Sequence, residues 1–349
     1  MLRDQTEDSS DMKVLEDLEI SDLNMDTVHA YRNRHTAYRP EHVWDGLTDE
    51  EYLERIGAAK RAQADKKIHP TAAGLLMFGE EFRILYEYPE YFLDYREMLD
   101  PTIRWTDRLQ SSSGDWTGNL FDFFFRVYPK LVKDLKIPFK LEGITRIDDT
   151  PVHKALREAL ANCLVNTDFF IARGVVIKKD TDEIIMENPG CIRTGKDQML
   201  KGGISDPRNK TLMKMFNMIG IGERAGSGVP DIYAVWDSQG WKEPIVEEQY
   251  NPDRTILKLS LVKKQAEKTC GKKVAKKSGE KNVTKKTQEN YKAILDAMQL
   301  DVWYRAADFK DYVQVKESRV KELLAELIEL GKVESIGSTK GKRYKKVDK

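Results

Sequence analysis

Glu158, Asn162 and Asn166 lie at i, i+4 and i+8 in the segment VHKALREALANCLVNTDFF. On a helix these three side chains share one face. A carboxylate and a carboxamide one turn apart can do two jobs. The carboxylate of Glu158 can polarise a water as a general base. The Asn162 oxygen is a hard ligand of the kind that suits Mg²⁺, an ion that keeps most of its waters and binds phosphate oxygens. The same spacing also suits a solvated polar face, and short motifs of this sort often match by chance.

Two glycine segments follow. Asn188-Pro189-Gly190 closes a strand pattern, where glycine lets a backbone approach a base or sugar closely. GIGERAGSG at 220–228 runs straight into a helix pattern. Backbone N–H groups at such a helix start favour anions, and Arg224 and Ser227 would add donors to phosphate. A plain glycine-rich turn between helices would read the same. The order of acid/amide helix, glycine turn and glycine loop before a helix points to a nucleotide pocket.

These residues need a scaffold. LEISDLN reads as a short strand, followed by a helix capped near Asp26. LTDEEYLERIGAAKRA is a second helix, with Thr48 and Glu51 spaced as a capping box. HPTAAGLLMFG starts a helix at Pro70-Thr71, with Gly74 permitting close packing. YFLDYREML is a strand. A Ser-Gly loop and a long aromatic helix follow, in a stretch whose Trp105, Trp116, Phe121, Phe123, Phe124 and Phe125 side chains suit a core better than a base-stacking surface. KLEGITRIDDTP gives a strand and turn. VVIKK and EIIME form a hairpin about Thr181-Asp182. Residues 191–209 read as loop, 210–225 as an amphipathic helix, VPDIYAVWDSQGW as another helix and TILKLSL as a closing strand. The pattern is that of an α/β (α+β) sandwich, one sheet with helices on one face.

The chain has 349 residues, with 58 basic and 58 acidic side chains in balance. The balance is uneven. Residues 263–286 hold ten lysines against two glutamates, a net of +8, without apolar periodicity, and are expected to be a disordered linker. Residues 287–349 regain periodicity as three helices and a terminal hairpin, a winged helix-turn-helix. Its recognition helix at 316–330 would place Lys316, Ser318, Arg319 and Lys321 at base edges. Lys340, Lys342, Arg343 and Lys345 on the wing would meet phosphates. A module of this shape also serves protein–protein contacts, but the basic charge favours DNA.

No apolar run approaches the ~18–20 residues needed to span a membrane. The polar N-terminus lacks a signal core, so a cytoplasmic location is expected. Three unpaired cysteines and five scattered histidines give no disulfide framework or metal pattern.

The central block resembles the divergent GHKL-type (Bergerat) ATP-binding domain of bacterial and archaeal transcriptional regulators, a group often labelled as related to the RecG helicase C-terminus. REALAN (157–162), ENPG (187–190), GGISDPRN (202–209) and GERAGSG (222–228) carry the resemblance. In that family a Schlafen/AlbA-like domain precedes the block and a winged helix often follows. The resemblance covers roughly residues 1–262. It implies a partial Schlafen/AlbA-like domain and connection at 1–65, lacking its N-terminal part, and a GHKL-like ATP-binding domain at 66–262.

By the same resemblance, Glu158 is the general base and Asn162 the Mg²⁺ ligand, through phosphate. Asn188 replaces the adenine-binding Asp, Gly190 gives room for the nucleotide, and Arg224, Gly226, Ser227 and Gly228 hold phosphates. Residues 193–216 form a lid. Asn166 belongs to the same site but stands where relatives usually carry His. Asn166 and Asn188 both depart from a working hydrolase, so ATP binding is expected and weak ATPase activity is left open. No G-x-x-x-x-G-K-[ST] loop is present, which argues against a helicase motor. The expected function is an ATP- and Mg²⁺-binding, DNA-binding transcriptional regulator, as a homodimer. The alternatives are a weak ATPase of DNA metabolism or phage defence, and a nucleotide-free dimerisation scaffold.

Overall fold

Thr71 and Asn24 show how local chemistry sets the first elements. The computed structural model describes residues 10–135, 140–142, 145–147, 149–222, 227–264, 285–298, 302–313, 317–329, 332–336 and 342–346. They fall into two compact units, Met1–Glu267 and Lys268–Lys349.

In the first unit, Asn24 caps helix α1 (Met25–Tyr38) by accepting from the Thr27 amide at 2.8 Å. The segment before it is a single 3-10 turn, Ile20–Asp22, where a strand was expected. It joins the body through isolated bridges, Val14 to Thr71 and Leu23 to Gly79. Helix α2 (Asp49–Ile56) has the Thr48/Glu51 capping box. Gly57 ends α2 in the left-handed region, so the expected continuation becomes strand β1 (Ala59–Arg61), paired with β2 (Ile68–Pro70). Thr71 caps helix α3 (Ala72–Phe78), which is buried along its whole length, and α4 (Glu81–Glu87) follows.

Strand β3 (Leu93–Met98) pairs with β4 (Asp107–Gln110), a strand the sequence pattern did not reveal. Helix α5 (Leu120–Val132) buries Phe121, Phe123 and Phe124 in the core. Strands β5 (Lys140–Glu142) and β6 (Thr145–Ile147) form a small separate pair. Then come α6 (Pro151–Val165), the hairpin β7 (Val175–Asp180) and β8 (Glu183–Pro189), α7 (Lys196–Lys201), α8 (Lys210–Met218), α9 (Gly228–Ser238), β9 (Ile245–Gln249) and β10 (Arg254–Ser260). Helix α7 lies in the expected loop, and β9 is an edge strand that the pattern missed.

The main sheet is six-stranded and mixed, in the order β4-β3-β7-β8-β10-β9. Strands β3 and β7 run parallel and every other neighbouring pair is antiparallel. Along β8, Ile184, Met186 and Asn188 are buried while Glu183, Ile185 and Glu187 are partly exposed, so helices cover one face. One hydrophobic cluster runs from Leu15 to Leu259, continuous across residues 65 and 66. The fold is mixed α+β.

The second unit holds α10 (Lys285–Ala297), a 3-10 turn at Ala306–Phe309, α11 (Lys310–Val313), α12 (Glu317–Glu329) and the antiparallel pair β11 (Val333–Ile336) and β12 (Arg343–Lys346). Val320, Leu323, Leu324 and Leu327 recur at helical spacing on α12 and bury against Ile294, Phe309 and Tyr344. Ile328 packs on this core half-buried, and Leu330 lies outside the described residues. So do residues 265–284, the bulk of the expected basic linker. Among the described residues no helix is long and apolar enough to cross a membrane.

Candidate functional site

Pro151 opens α6 at its first position, where the missing N–H costs nothing. Val152, Leu156, Leu160 and Leu164 on this helix are fully buried. Glu158, Asn162 and Asn166 form its partly exposed stripe. The stripe faces a cavity of ≈ 160 Å³. The sheet supplies one wall through Met186 and Asn188 of β8, Thr255 and Leu257 of β10 and Val246 of β9. These residues share a face by register, since Thr255 pairs with Asn188 and Leu257 pairs with both Met186 and Val246. Gly228, Val229, Ile232 and Tyr233 of α9 form the opposite side, and residues between Cys191 and Pro207 cover the top.

The polar groups are ordered. Asn162 donates from Nδ2 to Glu158 Oε1 at 3.1 Å. That bond uses the amide nitrogen, so the amide oxygen remains as the hard donor. Asn166 donates from Nδ2 to the Asn162 carbonyl at 3.0 Å. Asn188 is buried and donates to the Pro189 carbonyl at 3.2 Å and the Asn166 carbonyl at 3.5 Å. Glu158 lies against the start of α9, where a Cβ on Gly228 would stand 2.3 Å from Oε1. Only glycine allows that approach without moving the carboxylate.

Two thiols line the cavity as well. Burial pushes the Cys163 thiol up to about 12. Burial, then the Asp253 and Glu248 carboxylates, push Cys191 up to about 11. Both stay protonated near neutral pH and are poor nucleophiles. Below β8, burial tends to raise the Glu187 pKa, but Lys178 at 2.5 Å and Arg254 at 3.0 Å hold it below its ordinary value.

Two expected features take a different form. Gly190 is in the left-handed region with φ +98°, but a Cβ there would meet Arg208 Nη2 at 3.0 Å. The space it leaves holds a guanidinium, and Gly190 is not among the residues that line the cavity. The covering segment is also shorter than 193–216. Leu212, Met215 and Phe216 of α8 are fully buried, so 210–216 belongs to the core. The cover proper carries α7, which has no buried residue, between Gly195 and Gly202. Arg193 closes it by an ion pair to Asp206 at 2.9 Å.

Ser227 stands at the start of α9 without a capping hydrogen bond from its side chain. Arg224 and Gly226 lie outside the described residues. Sequence reasoning missed Thr255, whose Oγ1 donates to the Gly190 carbonyl at 2.8 Å, and Arg208. Arg208 was visible only as part of GGISDPRN, and Thr255 carried no local signal. Among the described residues no group of three or more His, Cys, Asp or Glu could hold a metal ion.

In the second unit, Arg319 sits on α12, 2.6 Å from Glu322 and 3.8 Å from Glu326. Lys321 is exposed on the same helix. Lys342, Arg343 and Lys345 come together on or beside β12, where Lys345 pairs with Glu334 at 3.0 Å. Lys316 and Lys340 lie outside the described residues, as does the side chain of Ser318.

A family model described as "Putative ATP-dependent DNA helicase recG C-terminal" matches residues 173–256. That stretch spans the cavity's sheet wall up to Ile256, its cover and α9, and begins after α6. A "Domain of unknown function (DUF8451)" matches residues 1–94. The crystal structure of the DIP2311 protein from Corynebacterium diphtheriae is similar at 15% identity with a TM-score of 0.55, covering 99% of this chain and 71% of that one. At that identity the likeness is one of fold. A search of curated proteins finds no match.

Proposed function

We propose that the first unit binds ATP with Mg²⁺ in a GHKL-like (Bergerat) manner, and that the second is a winged helix-turn-helix that binds DNA. The chain would then be a nucleotide-responsive DNA-binding regulator. One observation carries the reading: the Glu158–Asn162–Asn166 stripe looks across a cavity at Asn188 and at the start of α9. The family match over residues 173–256 supports it.

Each residue has a role in this reading. Asn188 takes the base, with Thr255 beside it. The start of α9, opened by the Gly228 and Val229 N–H groups, takes phosphate oxygens. The Asn162 oxygen suits Mg²⁺, which prefers one or two hard protein ligands plus phosphate and water. Mg²⁺ would neutralise phosphate charge beside the Glu158 carboxylate. At ≈ 160 Å³ the cavity is smaller than the ~300–1,000 Å³ usual for small-molecule sites, so the cover must lift to admit a nucleotide. Gly195 and Gly202, both with positive φ, flank α7 as pivots. A weak ATPase is the second reading, favoured by the place of Glu158 at the start of α9. DNA-stimulated phosphate release that disappears in Glu158→Ala would support it.

DNA binding rests on the second unit's amphipathic α12, with Arg319 and Lys321 near its N-terminal end, and on the basic β12. Ion pairs at Arg319 and Lys345 would have to open or be shared with phosphate. The test is a thermal shift with ATP, ADP and Mg²⁺ on wild type and Asn162→Ala, joined to DNA titrations with and without Mg-ATP. Mg-ATP at a hundredfold excess over Kd should stabilise the wild type by ~2.7 kcal/mol. The variant should lose most of the Mg²⁺-dependent part. No shift at millimolar ATP would rule out the nucleotide site. Equal DNA affinity with and without Mg-ATP would rule out the coupling.

A further inference from the structure

The Asn166 carbonyl, at the C-terminal end of α6, accepts two hydrogen bonds. One comes from Arg208 Nε at 3.3 Å, the other from Asn188 Nδ2 at 3.5 Å. Arg208 reaches further than this one group. Its Nη2 donates to the Cys191 carbonyl at 3.1 Å, its backbone N–H donates to Asn166 Oδ1 at 3.3 Å, and Nη1 stands 3.8 Å from Asp168 Oδ2. Arg208 is 8% exposed and Asn188 6%. The guanidinium therefore holds the last turn of α6 against the end of β8, with the Asn188 amide between them.

An asparagine amide has a donor end and an acceptor end of nearly equal size. Its orientation decides what a ligand must bring. Asn188 turns its nitrogen to the Asn166 and Pro189 carbonyls, which leaves its oxygen as the atom offered to the cavity. The Pro189 carbonyl, at 3.2 Å, comes with the chain itself; the Asn166 carbonyl, at 3.5 Å, is the second anchor and must be held in place. A carbonyl at a helix C-terminus has no intrahelical partner, and Arg208 supplies one.

We propose that Arg208 is a positioning residue that keeps Asn188 oxygen-first towards the cavity, so that the site selects a base carrying an exocyclic amino group over one with a carbonyl there. This rests on the nucleotide reading above. An oxygen facing a carbonyl leaves two acceptors opposed in a buried site, and sites built around one hydrogen bond reject the mismatched analogue strongly. With the Asn166 carbonyl released, only the Pro189 carbonyl still holds the amide nitrogen, so turning over to meet a carbonyl on the base costs less and discrimination falls.

The test compares ATP with inosine triphosphate, which bears a carbonyl where ATP has the amino group and a proton on the adjacent N1. Full-length protein is titrated calorimetrically with each. The wild type should prefer ATP by tenfold or more, on the order of one lost buried hydrogen bond. Arg208→Lys keeps the charge but not the fork that bonds two carbonyls at once. It should reduce the ATP/ITP ratio at least about threefold, whereas a merely structural loss weakens both nucleotides in proportion. Asp168→Asn, which removes a charge beside Nη1 without emptying the site, should shift the ratio the same way, and it carries the test if Arg208→Lys does not fold. A preference for ATP that stays constant in the folded variants, or a wild-type ratio of one, overturns the proposal alone. A wild type that binds neither nucleotide overturns the nucleotide reading and this proposal with it.

Discussion

Asp11 Oδ2 accepts the Thr211 amide at 2.8 Å, across 200 positions of sequence. It also accepts the Leu212 amide at 2.9 Å. Helix α8 has Asn209 at its N-cap without a side-chain capping bond, so the cap arrives from the other end of the unit. A carboxylate there also complements the positive end of the helix dipole. Asn209 instead donates to the Val165 and Thr167 carbonyls, closing the end of α6. The N-terminal segment is thus part of the support beneath the cavity, since Met213 of α8 lines it.

Asp11→Ala leaves two buried amides without a partner. Each unsatisfied donor costs ~1–3 kcal/mol, so a loss of about 2–4 kcal/mol is expected. For a unit of this size that is roughly 5–12 °C in Tm. Differential scanning calorimetry measures it directly, and Asp11→Asn, which keeps an acceptor, should recover about half. A change in Tm below about 1 °C for the alanine variant would show that the cap is not felt.

Gly74 inverts the usual rule for helix interiors. Alanine normally improves a helix over glycine by ~1 kcal/mol. Here a Cβ would stand 1.9 Å from the Ala58 carbonyl oxygen, and that oxygen is backbone already bonded to the Thr71 amide. Neither partner can give way cheaply. Gly74→Ala should therefore destabilise by about 3 kcal/mol or more, read as a lower urea midpoint at unchanged slope.

The sequence was readable where the physics is local. The Thr48/Glu51 box, the β7–β8 turn and the tight place of Gly74 all depend on residues within a few positions or on a single missing side chain. Strand β4 was hidden because all four of its residues are half-buried and show no alternation. Strand β9 hides for a related reason, with only Val246 buried in an acidic edge segment. Helix α7 buries nothing, so it has no apolar stripe to find. In the site, the stripe on α6 was legible from spacing alone. Its partners were not, because register sets Thr255 beside Asn188 and tertiary packing sets Arg208 beneath Gly190.

Two histidines should give stability opposite slopes on either side of pH 6.5. His35 is fully buried, with neither ring nitrogen hydrogen-bonded. Burial, then His42 and Arg39, lower its pKa, aided by Arg32 and opposed by Asp45. The unfolded chain takes up that proton first as pH falls, so stability declines from about 6.5 down towards the folded value. The pKa of His69 is raised, by the Leu18 carbonyl and then by Asp65 at 2.8 Å. Its contribution is complete below 6.5 and is lost as pH rises through the folded value. Urea midpoints at about pH 5, 6.5 and 8 should peak in the middle for these two groups. His35→Leu should flatten the acid limb alone, and His69→Gln the alkaline limb alone.

Gly228→Ala separates the stability of the site from its chemistry. The new Cβ would meet Glu158 Oε1 at 2.3 Å and Cγ at 2.9 Å. These atoms end a flexible side chain, so the carboxylate can swing aside, and alanine gains about 0.4–1 kcal/mol over glycine by restricting the unfolded chain. The stability of the variant should stay within about 1 kcal/mol of wild type. Glu158 would no longer lie at the start of α9 and would lose its bond from Asn162. Under the nucleotide reading, the Asn162 amide is then free to turn, and Mg²⁺-dependent stabilisation by ATP should fall by half or more while stabilisation by metal-free ATP changes less. Equal Mg²⁺ dependence in the two proteins would show that the Glu158–Asn162 pair does not order the metal ligand.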